Sequence, residues 1–358
     1  MEFDFKLIET VFKPNISEAY LKDLYIDTGD FNRLIDKLPE PGTFLVYGKR
    51  GAGKTLLFNL LKTELTASLS NYYGNKEILN DLEDVLFFKQ RIKKRMILPV
   101  FLRITRSGGT SKELLFDTVH EIVRNIIRSL ILLEKISNKK VLKNYEPQFA
   151  EMLARLEEKS IIQTNSERRG LNFNIGGKII PIELSSESSN EFTNAHSSSP
   201  IKELRTLHGI IGEILDIVKR ENIEVIIALD EFDKISVKDA ANILKAEQGS
   251  LFEALRSNFS FLIPANQLYI KEFTKPEYLG IFTMSPFELT PFEIEYTKEM
   301  IDKRLVFFKE YFGKKYSWKD IVSEEKLKEI IKKSNGTPRV ILDNLKKEIL
   351  NSKKLPLI

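Results

Sequence analysis

One junction restricts the fold of this chain more than any other feature. The apolar run Thr43–Tyr47 (TFLVY) passes directly into GKRGAGKT, Gly48 to Thr55, and then into TLLFNLLKTEL. The run is short and rich in β-formers, as expected of a strand buried on both faces. A strong turn precedes it at Pro39, Pro41 and Gly42. Leucines at helical spacing follow the glycines. The junction therefore reads as strand, glycine-rich loop and helix in immediate succession.

The same alternation continues along the chain. Ile97 to Thr105 (ILPVFLRIT) reads as a second buried strand, and a helix follows from Ser111, placed to cap it. Val225 to Leu229 forms a third strand that ends in acids, and Phe259 to Ile263 a fourth. GIFTMSPFEL is a weaker fifth candidate. Helices are expected over Ile201 to Glu221 and Ala240 to Arg256. Strands alternating with helices define an α/β fold with a parallel sheet and helices on both faces. Residues 1–30 read as an N-terminal segment, 31–290 as the core and 291–358 as a helical lid. The rhythm breaks from about 137 to 200, which reads as an insertion. It holds a helix (Pro147 to Lys159), a hairpin turning at Gly176-Gly177 and a Ser-rich loop.

Ligands of such sheets sit at the carboxyl ends of the strands. Two signals converge there. Gly48, Gly53, Lys54 and Thr55 fit the phosphate-binding spacing G-x-x-x-x-G-K-[ST]. Glycines let backbone N–H groups of Lys49, Arg50, Gly51, Ala52, Gly53, Lys54, Thr55 and Leu56 turn towards phosphate oxygens. The helix N-terminus adds partial positive charge. Lys54 is expected to reach the β- and γ-phosphates, and the Thr55 hydroxyl to ligate Mg²⁺. Asp230, at a strand tip, is expected to hold the same metal, and Glu231 to polarise the attacking water. A basic turn and an unrelated acid pair are the alternative.

GKRGAGKT, VIIALDEFDK and NGTPRVILDNL together resemble the AAA+ ATPases, nearest to the origin-recognition and STAND branch. The resemblance implies an ASCE-type P-loop NTPase core with Walker A and Walker B motifs, ATP and Mg²⁺ as cofactors, and ATPase activity. It makes Arg339 a lid residue at the γ-phosphate. It also asks for a polar residue at the end of the fourth strand, for which Asn266 is the first choice and Ser260 the second. Two departures follow. The arginine finger expected after that polar residue is missing: only Lys271 and Lys275 lie in the segment, and Arg256 is a weak alternative. Slow basal hydrolysis is expected, since lysine lacks the planar fork. The stretch after Arg339 is also too short for the DNA-binding domain that initiators carry there.

Composition narrows the rest. The chain has no cysteine, which excludes disulfides and thiolate metal sites. His120, His196 and His208 are scattered, and His120 and His208 read as core-edge residues. The N-terminus lacks the features of a signal peptide. The greasiest helix, Val119 to Ile136, carries Glu121, Arg124, Arg128 and Glu134 and is too charged to span a bilayer. A cytoplasmic location is the default. The run Lys89 to Arg95 (KQRIKKR) is either a solvated face or a polyanion patch. The functional expectation is a conformational switch in a nucleic-acid-linked or anti-phage defence assembly, with a protein partner or effector and a homo-oligomer or hetero-complex. The alternatives are a DNA-binding initiator or loader and a scaffold that holds ATP without hydrolysing it. A small-molecule phosphotransferase fits less well, for want of an acceptor motif.

Overall fold

The computed structural model describes residues 10–12, 21–37, 41–73, 96–104, 111–136, 142, 145–157, 171–175, 178–182, 200–244, 251–278, 281–282, 286–308 and 316–352. The basic run 89–95, the turn at 176–177 and nearly all of the Ser-rich stretch lie outside them.

Seven strands are described. β1 (Gly42–Tyr47), β2 (Ile97–Arg103), β5 (Glu224–Asp230), β6 (Ser260–Ala265) and β7 (Phe287–Glu288) form one all-parallel sheet in the order β2-β5-β6-β1-β7. β3 (Leu171–Ile175) and β4 (Lys178–Ile182) pair antiparallel in the insertion, with Ile175 opposite Lys178. The weak fifth candidate of the main sheet is thus real but only two residues long, lying beside Val46 and Tyr47. Pro99 falls in β2, an edge strand, where its missing N–H leaves no ladder partner waiting.

Each strand divides its side chains between two apolar layers, as the two-residue period of a pleat requires. Phe44, Val46, Ile226, Ala228 and Leu262 face one layer, closed by Leu57, Phe58, Leu61 and Leu65 of the Lys54–Tyr73 helix. Leu45, Val225, Ile227, Phe261 and Ile263 face the other. There the cover comes from Val119, Ile122, Val123 and Ile126 of the Ser111–Ile136 helix and from Ile210 and Ile214 of the Pro200–Arg220 helix. Helices cover both faces, which is why the strands read as nearly unbroken apolar runs. The helix expected over Ala240 to Arg256 is described as two, Val237–Leu244 and Leu251–Arg256.

The C-terminal helices have a core of their own, built on Ile301, Leu305, Ile321, Leu327, Ile341 and Leu345. Val11, Phe12 and Ile26 pack into it, so the N-terminal segment shares the core of the C-terminal helices. Arg304 is buried there and donates from Nη1 to the Val11 carbonyl at 2.8 Å. Burial lowers its pKa to about 10. His120 is half-buried, with Nε2 3.2 Å from the Leu156 carbonyl oxygen, whereas His208 is exposed rather than at the core edge.

Candidate functional site

β1 ends at Tyr47, and the chain turns at once. The Ala52 N–H donates to the Lys49 carbonyl at 3.0 Å, and Gly51 and Gly53 take φ of 88° and 102°. These values suit glycine and strain other residues. Gly51 is also a point of close approach: a Cβ there would lie 2.5 Å from Cβ of Arg339. A Cβ on Gly48 would lie 2.9 Å from Cβ of Ala52. The helix begins at Lys54, so the N–H groups of its first turn, including those of Lys54, Thr55 and Leu56, have no helical acceptor behind them. A tight glycine turn leading into a helix N-terminus fits an anion.

Lys54 does not project into solvent. Its side chain is 9% exposed, its ammonium donates to the Gly48 carbonyl at 2.7 Å, and Nζ lies 3.2 Å from Oδ2 of Asp233. The neighbouring Thr55, exposed on the same turn, donates from Oγ1 to Oδ1 of Asp230 at 2.9 Å. β5 is not β1's neighbour, because β6 runs between them. The first turn of the Lys54–Tyr73 helix spans that gap. It therefore brings Lys54 and Thr55 to a strand tip distant in sequence.

Glu231 follows Asp230 with φ 63° and ψ 5°, a left-handed conformation that glutamate seldom adopts. That backbone turns the chain into the short 3-10 helix Phe232–Lys234 and aims the Glu231 and Asp233 side chains to different partners. Oε1 of Glu231 lies 2.7 Å from Nζ of Lys234 and 3.4 Å from Nε of Arg103, which is the last residue of β2. The turn is anchored by Tyr269, whose single hydroxyl proton is shared between the carbonyls of Phe232 and Ile235, at 2.7 and 3.0 Å. Burial, with the charges of Asp233 and Asp239, raises the Tyr269 pKa well above its ordinary value.

Asn266 stands just past the tip of β6, the strand between β1 and β5. Its Oδ1 caps the Gln267–Phe273 helix by accepting from the N–H groups of Leu268 and Tyr269, at 2.9 and 3.1 Å. Its Nδ2 donates to the Asp233 carbonyl at 3.1 Å. Ser260 is corrected as the alternative. It begins β6, beside Gly42 and Ile226, at the opposite end of the sheet. Arg339 is at the site: its N–H faces the Gly51 carbonyl at 3.4 Å, and its side chain is exposed. Arg256 is corrected too. Its guanidinium donates to Glu253 and to the Ile281 carbonyl, so it is used within the chain.

Sequence reasoning missed three residues that the site uses: Asp233, Tyr269 and Arg103. Asp233 had a local signal, a third acid on the same strand end. Tyr269 and Arg103 had none, since they reach the turn from separate elements.

Among the described residues no three His, Asp or Glu side chains gather to hold a metal. The donor pair that could share one is the Thr55 hydroxyl with the Asp230 carboxylate. An oxygen-only pair suits Mg²⁺, which binds few protein ligands and keeps water and phosphate oxygens in its shell. Among the described residues, no helix is long and apolar enough to cross a membrane. No family model matches the sequence, and no curated protein matches it either.

Proposed function

We propose that this chain is a P-loop NTPase of AAA+/STAND type, a Mg²⁺-dependent ATPase that works as a conformational switch. The observation that carries the reading is the Thr55–Asp230 hydrogen bond, 2.9 Å long, between residues 175 positions apart. A chance basic turn has no reason to place its hydroxyl against that one carboxylate. The cradle of Gly48 to Thr55 and the buried Lys54 add to it.

Bound Mg²⁺ and ATP would supply a polarised phosphoryl group, and the chain's own groups do the rest. Backbone N–H groups of the loop and first helical turn, Gly53, Lys54, Thr55 and Leu56 among them, would orient the phosphates, while that of Ala52 closes the turn onto Lys49. Lys54 places its positive charge on the β- and γ-phosphates. Thr55 and Asp230 would hold the metal. Glu231 would take the proton of the attacking water, Asn266 would help to orient that water, and Arg339 would report the γ-phosphate to the C-terminal helices. Arg339 suits that task because its own Cβ rests against Gly51, so the C-terminal helices meet the phosphate loop directly.

A second reading, a scaffold that binds ATP without hydrolysing it, draws on Glu231. Two cations, Arg103 and Lys234, already engage this carboxylate. For the cytoplasmic setting, the nucleic-acid-linked reading, with a DNA-binding loader as its alternative, rests on the sequence resemblance and the basic clusters, and the antiviral defence reading on the insertion and the missing arginine finger.

Calorimetric titration with Mg·ATP tests the reading. The wild type binds and Lys54→Ala does not; Glu231→Gln binds and fails to turn over. Equal affinity in wild type and Lys54→Ala would sink the proposal. Normal turnover by Glu231→Gln would remove the assigned base, and no turnover by the wild type with any partner would favour the scaffold.

A further inference from the structure

The ammonium of Lys54 raises a question of charge balance. A lysine 9% exposed needs a counter-charge, since desolvation penalises the ionised form. The counter-charge here is Asp233, at 3.2 Å, itself 18% exposed. Asp233 does not drift to this place. Its carbonyl is held by Asn266, and the carbonyls of Phe232 and Ile235 on either side are held by Tyr269. The turn thus presents one carboxylate to one lysine through fixed backbone.

We propose that Asp233 is a built-in stand-in for phosphate: it holds Lys54 while the cradle lacks nucleotide and is displaced when a polyphosphate arrives. The inference rests on the reading of Gly48–Thr55 as a nucleotide site and gives it a means of regulation. Lys54 has one charge, and it serves either the carboxylate or the phosphates at full strength. Binding therefore exchanges one anion for another, and Asp233 subtracts from affinity. The exchange also has a direction. A freed Asp233 carboxylate sits on the same turn as Glu231, and its carbonyl is the acceptor of Asn266. Filling the cradle thus frees a carboxylate on the turn that carries the proposed base, while the backbone bonds of Asn266 and Tyr269 keep the turn in place. Asp233 is a positioning residue, since it acts through Lys54.

The test uses two probes on the full chain, ATP and inorganic tripolyphosphate, with wild type and Asp233→Asn. Asp233→Asn is expected to bind both probes about tenfold more tightly than wild type, by the same factor, because the competition is for phosphate alone. Thermal unfolding without ligand supplies a readout independent of binding. Asp233→Asn lowers the Tm of the wild type by several degrees but leaves that of the Lys54→Met variant unchanged, since the pair is absent there. Asp233→Ser serves if Asp233→Asn does not fold, with the same expectations. A wild type that binds neither probe removes the nucleotide site and this proposal together. A wild type that binds both, with Asp233→Asn equal or weaker, removes this proposal alone. Equal Tm losses in the wild-type and Lys54→Met backgrounds likewise overturn it.

Discussion

Gly48–Thr55 and Asp230–Lys234 approach each other from different strands, and different forces shape them. The first is set from within. Two glycines take backbone angles that other residues resist, and one local hydrogen bond closes the turn. The second is set from outside. Glu231 occupies a left-handed conformation against its own preference, held there by Tyr269, Asn266, Arg103 and Lys234 from around it. A locally encoded half is robust to change elsewhere in the chain. A half encoded at a distance can be altered from several places, which suits it to respond to them.

The comparison breaks most severely at Gly51. Gly51→Val brings both a forbidden φ and a collision with Arg339, whose Cβ would be 2.5 Å away. Loss of ATP affinity by at least about a hundredfold is expected, since the N–H cradle cannot keep its shape. Gly53→Ala is the contrast: φ is 102° but nothing lies within 4 Å. Its cost is backbone strain alone, about 1–2 kcal/mol. Calorimetry on both variants separates the two causes, and equal losses would show that the approach of Arg339 does not matter.

Next in size is Tyr269→Phe. Tyr269 is 1% exposed, and its one hydroxyl proton is shared between two carbonyls of the second half. Its loss is expected to lower unfolding free energy by about 1–3 kcal/mol. Denaturant midpoints measure this. Its pKa is raised, so the folded state keeps a proton that the unfolded state loses near pH 10.0. The contribution is therefore complete below that pH and lost as pH rises beyond it. Tyr269→Phe should flatten the alkaline fall in stability, leaving the part due to Tyr25, whose pKa is raised by burial in the same direction. Asn266→Ala follows, at about 1–2 kcal/mol, for a lost helix cap and an unheld Asp233 carbonyl. If Asn266→Ala leaves turnover intact while lowering the Tm, its place is structural and not catalytic.

This difference between the halves also explains what the sequence disclosed. The central strands were legible because they are buried on both faces and their apolar runs are continuous, from Thr43 to Tyr47 and from Val225 to Leu229, whereas β7, two residues long with Glu288 exposed, gave only a weak signal. The glycine loop was legible because its geometry is written in residue types. The strand order was not: nothing in local pattern puts β6 between β1 and β5. The Lys54–Asp233 pair was hidden for a related reason. A motif fixes the lysine's place in the loop but says nothing of the carboxylate, Asp233, that faces it from another strand tip. Arg256 was misread because its position was considered without Glu253 and the Ile281 carbonyl, which use it. The packing of Val11 and Phe12 with the C-terminal helices could not be foreseen from apolar residues in an irregular segment.

The smallest effect bears most directly on how the second half is held. Glu231 has φ 63°, a conformation that asparagine accepts and alanine does not. Its ion pairs are to Arg103 and Lys234, whose side chains are 63% and 64% exposed, so removing them costs little. Glu231→Asn and Glu231→Ala delete the same carboxylate and the same pairs, and they differ in the backbone they prefer. The Asn variant is therefore expected to be more stable than the Ala variant by about 0.5–1 kcal/mol, with both inactive and both able to bind ATP. Equal denaturation midpoints would mean that the turn relaxes once the carboxylate is gone. The left-handed angle would then be a consequence of the Arg103 and Lys234 pairs, and the clamp of Tyr269 and Asn266 would not be what holds it.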